Sequence, residues 1–221
     1  IFAAIGYGYP TEGDLYRGQI HYESGFLPDE HGWTFSHSSL RWWPETWWSQ
    51  FNYDDYPFPA FWSAWPVSAE SDDFTDWYLF TKVFGEDYCY LNPPPGNVFI
   101  NPFAAANWWG LKQKWNGSCF GIATTALMAF DDKDAFRERF TGVGNFTTLG
   151  EITSMNDDIR LSVNEMFLYQ NGEVQIDHIN ENEDKSPVET LYDIRSSFIE
   201  SQHSDRVLAF YNQNGDGGHA V

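Results

Sequence analysis

The residues of this chain best suited to chemistry are Cys119 and His219, with Gln113 beside the first. In the run Gln113-Lys114-Trp115-Asn116-Gly117-Ser118-Cys119-Phe120-Gly121-Ile122-Ala123, a glycine-containing turn delivers a cysteine to the start of an apolar stretch, Ile122 to Phe130. That stretch reads as a buried helix. The first turn of a helix has unpaired N–H groups and a partial positive charge. Both favour a thiolate over a thiol, and the thiolate is the nucleophile. Gln113 stands six residues upstream of the cysteine, where its side-chain amide is suited to donating to an oxyanion beside that sulfur. His219 follows Gly217 and Gly218 at the mouth of a strand, a position from which an imidazole faces a cysteine on a neighbouring helix.

Several elements have to position these groups. Arg206 to Tyr211 reads as a strand, Asn212 to Gly218 as a turn, and Gly218 to Val221 as the opening of another strand. Asp157 to Tyr169 carries Ile159, Val163, Met166 and Phe167 on one face, the pattern of an amphipathic helix. Ser186-Pro187-Val188-Glu189 is a capping box with proline at the first helical position, predicting a helix to about Ser201. Asp131 to Phe140 predicts a short solvated helix, and Ser71 to Phe80 a helix start that Gly85 ends. Glu173 to Ile179 alternates Val174, Ile176 and His178 and reads as a strand.

The two reactive stretches together resemble the papain-like cysteine peptidases. The likeness rests on Gln113, on Gly117-Ser118-Cys119 followed by an aromatic, and on Gly218-His219-Ala220-Val221, in the family's chain order of glutamine, cysteine, histidine. It covers about Trp108 to Val221. The resemblance implies that Cys119 is the nucleophile, His219 the general base, and Gln113 an oxyanion-hole donor alongside the backbone N–H of Cys119. It also implies an α+β fold with helices around the cysteine and antiparallel strands around the histidine, a polypeptide or amide substrate, and no cofactor. Phe120 stands where the best-known members have Trp, and Asn116 where they often have Cys. The interval of 100 positions from Cys119 to His219 is shorter than the ~130–150 of the lysosomal members. These features are closer to bacterial secreted members of the family. The family's third catalytic residue follows on a later strand, so the catalytic domain is expected to be C-terminally incomplete at Val221.

Composition narrows the function classes. With 12 basic against 32 acidic side chains, the chain lacks the clustered Lys and Arg that nucleic acid or anionic lipid requires. The balance fits a secreted or cell-envelope protein. No apolar run approaches the ~20 residues of a membrane-spanning helix. There are two cysteines, Cys89 and Cys119. Either Cys119 is a free nucleophile, or the pair is bridged and Cys119 is silent.

All 11 tryptophans fall between Trp33 and Trp115. Trp42-Trp43, Trp47-Trp48, Trp62 and Trp65 are interspersed with Pro44, Pro57, Pro59 and Pro66, which deny this region long helices or central strands. Residues 1–96 therefore read as an aromatic-rich, loop-rich segment and 97–221 as the catalytic domain, with Pro93-Pro94-Pro95-Gly96 at the boundary. The aromatic segment is expected to pack its large side chains against the catalytic part, to cover its cleft, or to contact partner proteins or glycans. His178 is a rival base, read here as a packed or edge histidine. His21, His31 and His37 show no metal-ligand spacing. Asn212 to Gly217 partly matches a calcium loop and is better explained as a turn. Beside a hydrolase, two other readings stay open: a catalytically silent papain-fold binding module, and an acyltransferase or transglutaminase-like enzyme using the same Cys–His pair.

Overall fold

The computed structural model describes residues 25–37, 42, 75, 77–93, 99–114, 117–182, 184–200, 207, 209–211 and 218–220. Its elements in chain order are α1 (Pro28–His31), α2 (Trp77–Phe84), α3 (Glu86–Cys89), β1 (Tyr90–Asn92), β2 (Phe99–Ile100), α4 (Pro102–Lys114), α5 (Cys119–Asp131), α6 (Lys133–Arg139), α7 (Asp157–Tyr169), α8 (Glu173–Asn182), α9 (Pro187–Glu200), β3 (Ala209–Tyr211) and β4 (Gly218–Ala220). The fold is α+β. Helices dominate, and the strands form two small antiparallel pairs, β1 with β2 and β3 with β4. The β1–β2 pair spans the Pro93–Gly96 stretch. Side chains on both sides of that stretch, Trp77 and Phe80 before it and Trp108 and Val163 after it, belong to one hydrophobic core.

The centre of the molecule is the crossing of α5 and α7. The predicted apolar face of α7 is buried through Ile159, Val163, Met166 and Phe167. Its N-cap, Asn156, accepts a hydrogen bond from the Ile159 N–H at 2.8 Å, which satisfies one of the orphan donors of the first turn. A Cβ on Gly121 of α5 would lie 2.1 Å from the Val163 carbonyl oxygen, so this glycine lets the two helices approach backbone to backbone. On the other side of the core, Trp77 stacks on Phe80, meets Trp108 edge-on with centroids 5.7 Å apart, and donates its indole N–H to the Tyr90 hydroxyl at 3.0 Å. Trp108 donates to the Thr75 carbonyl at 3.1 Å.

Local chemistry sets the helix ends. Asn101 caps α4 by accepting the Phe103 N–H at 3.0 Å, with Pro102 at the first helical position. Asp132 caps α6 through the Ala135 N–H at 2.9 Å. The capping box of α9 is formed: the Glu189 carboxylate accepts from the Ser186 N–H at 2.8 Å and from its hydroxyl at 2.7 Å. Those two donors hold the Glu189 carboxyl below its ordinary value. Gly85, with φ of 87°, ends α2 as expected.

One expectation is corrected. Glu173 to Ile179 is not a strand but the first part of helix α8. Its alternation is short, Glu173 favours the positive end of a helix, and none of its side chains is buried, so no sheet face demands a period of two. Pro28–His31 forms a single helical turn, with proline at its start. The first residues of the helix start expected from Ser71 and the Asn212–Gly217 turn lie outside the described residues, as does most of the Trp33–Trp65 region.

Candidate functional site

Cys119 is the first residue of α5, a 13-residue helix with no acidic side chain in its first turn. The first turn therefore brings no carboxylate of its own to offset the partial positive charge of the helix N-terminus. Cys119 is a half-buried free thiol, and Cys89 is a buried free thiol, so the alternative of a Cys89–Cys119 bridge is not realised.

The turn before Cys119 is held from a distance. Ser118 is fully buried, and its N–H donates to the His37 carbonyl at 2.9 Å. Its own carbonyl accepts the Ile122 N–H at 2.9 Å, which starts the helix. A Cβ on Gly117 would stand 2.7 Å from His37 Nδ1 and 3.2 Å from the His37 carbonyl oxygen, so only glycine leaves room for this crossing. One turn along the helix, the buried Trp33 indole N–H donates to Thr125 Oγ1 at 2.8 Å, and that hydroxyl donates to the Gly121 carbonyl at 2.6 Å. Trp42 is fully buried as well; its indole donates to the Ser36 carbonyl at 2.7 Å, and its own carbonyl accepts from Asn164 of α7 at 3.2 Å. Of the described tryptophans of the aromatic region, Trp33 is thus anchored on the cysteine helix and Trp42 on α7.

His219 lies on β4, where it pairs with Phe210 of β3. Strand β4 packs against α5, so the element bearing the histidine and the element bearing the cysteine are neighbours. The His219 side chain is exposed, and its ring contacts the ring of His37 with centroids 4.8 Å apart and planes at 57°. Within the described residues no hydrogen bond joins the Cys119 thiol to His219. Gln113 falls in the last turn of α4, which leads toward the Gly117–Cys119 turn; its side chain lies outside the described residues.

His178, the rival base, sits on α8 with an exposed side chain, and its carbonyl accepts from Asn182 at 2.5 Å. The residue that the sequence did not offer for this site is His37, 82 positions before Cys119 and on no recognisable pattern. Among the described residues no group of three or more His, Cys, Asp or Glu side chains is arranged to hold a metal ion. No described helix is long and apolar enough to cross a membrane. Comparison with protein-family models, with curated proteins and with solved structures finds no match to this chain.

Proposed function

We propose that this chain is a thiol hydrolase of papain-like type, a peptidase or amidase working through Cys119 and His219. The observation that supports the reading is the packing of the Cys119 helix against the strand that bears His219. In this mechanism the Cys119 thiolate adds to the substrate carbonyl. The tetrahedral oxyanion accepts hydrogen bonds from the Cys119 N–H and from Gln113. Collapse breaks the C–N bond, and the His219 imidazolium protonates the departing amine. Water, deprotonated by His219, then attacks the thioester and releases the acid with regeneration of the thiol. The acidic balance of the chain suits a secreted or envelope setting. An amine acceptor in place of water would give an acyltransferase from the same steps.

The test is alkylation by iodoacetamide at about pH 6, where an ordinary thiol is slow and a thiolate paired with an imidazolium is fast. Mass spectrometry is expected to locate rapid labelling on Cys119 and to find it lost in a His219→Ala variant. Slow labelling of Cys119 in the unmodified protein would overturn the reading. A catalytically silent binding module would then be favoured, because α8 and α9 carry exposed apolar side chains at Val174, Val188, Leu191 and Tyr192.

A further inference from the structure

We infer that His37 is a positioning residue for the Cys119–His219 pair, holding both halves of the site from a single position. The inference rests on the thiol-hydrolase reading and adds to it a residue from the aromatic-rich segment. Three contacts meet at His37. Its carbonyl oxygen accepts the N–H of Ser118, the residue directly before the nucleophile. Its ring nitrogen Nδ1 lies against Gly117 so closely that a methyl group there would collide at 2.7 Å. Its imidazole packs on the imidazole of His219 at 4.8 Å between centroids.

These contacts fix different things. The backbone bond sets the path of the turn that presents Cys119, and it survives any side-chain substitution at position 37. The ring contact acts on His219, an exposed side chain on a strand of three residues. Such a side chain has several open rotamers, and a ring packed against it removes some of them. An imidazole held in one orientation beside the nucleophile reacts from a smaller set of conformations than a free one. Trp33, four residues before His37, is buried and hydrogen-bonded to Thr125 of α5. The orienting group therefore follows an anchor on the same helix as the nucleophile.

The experiment measures iodoacetamide labelling of Cys119 in the full chain, in His37→Leu, in His37→Gln, in His219→Ala and in the His37→Leu/His219→Ala double variant. Rates are taken at about pH 6 and at about pH 10, where every exposed thiol is largely ionised. Positioning through His219 predicts a loss of roughly tenfold at the lower pH in His37→Leu, the lower end of what removing an orienting partner of a histidine costs. Partial recovery is expected in His37→Gln, whose planar polar end still packs on His219. At the higher pH the His37 variants should match the unmodified protein. The double variant should be no slower than His219→Ala alone. An unchanged rate at the lower pH in His37→Leu would overturn the inference. Equal slowing at both pH values would also overturn it, since that pattern belongs to a damaged turn. Slow labelling of the unmodified chain at the lower pH would overturn the thiolate reading itself, and this inference with it, before any His37 variant is compared.

Discussion

Cys89 and Cys119 occupy opposite ends of helices. Cys89 is the last residue of α3, at the negative end of a single helical turn, and it is fully buried. Its N–H donates to the Gly85 carbonyl at 3.1 Å, and its carbonyl accepts the Asn101 N–H at 2.9 Å. Burial pushes its thiol from 9.0 up to about 11. Cys119 is the first residue of a long helix, half-exposed, beside a strand that carries a histidine. The same side chain thus meets two environments, one closed and apolar, where it is a small filler, and one partly open to solvent.

The sharpest way to break this contrast is to alkylate both thiols in one sample. In the folded protein at about pH 7, labelling of Cys119 is expected to exceed that of Cys89 by at least about a hundredfold, because exposure and thiolate fraction act together. In strong urea the two rates should converge. Comparable rates in the folded state would erase the distinction.

A smaller effect tests the seat of Cys119 alone. Gly121→Ala drives a methyl group into the Val163 carbonyl, a backbone atom with little freedom to move. Separating α5 from α7 is expected to cost about 3 kcal/mol, at the upper end of overpacking penalties. Urea denaturation of the variant measures it, and a cost below about 0.5 kcal/mol, the range of an ordinary surface change, would contradict the close approach.

The smallest effect concerns Cys89. Its folded thiol holds its proton to a higher pH than the unfolded thiol does, so the unfolded state releases that proton first as pH rises. The associated stability is complete below about pH 9 and is lost between there and about pH 11. Chemical denaturation across that window should show the decline, and Cys89→Ala should flatten it. An identical decline in the variant would assign it to other groups.

How legible the molecule was depended on the range of the signal. The α7 face, the α9 capping box and the glycine stop after α2 are written within a few neighbouring residues, and each forms where its residues require. The stretch beginning at Glu173 misled because three alternating positions fit a strand and an exposed helix equally well until tertiary burial decides between them. At the site, the sequence supplied Cys119 at a helix start and His219 on a strand. It had no means to supply His37, whose carbonyl meets Ser118 and whose ring meets His219 only through tertiary structure. For Trp33 and Trp42 the sequence favours packing over a glycan platform. Their indole hydrogen bonds to Thr125 and to the Ser36 carbonyl put them in the interior.

The tie between Trp42 and Asn164 joins positions 122 residues apart. During vectorial synthesis at about 5–20 residues per second, Trp42 emerges roughly ten seconds before its partner exists. Over that interval the Phe35 ring, edge-on at 6.0 Å between centroids, is there to meet it, but nothing of α7 is. The docking of Trp42 on α7 is therefore a late and non-local event in folding.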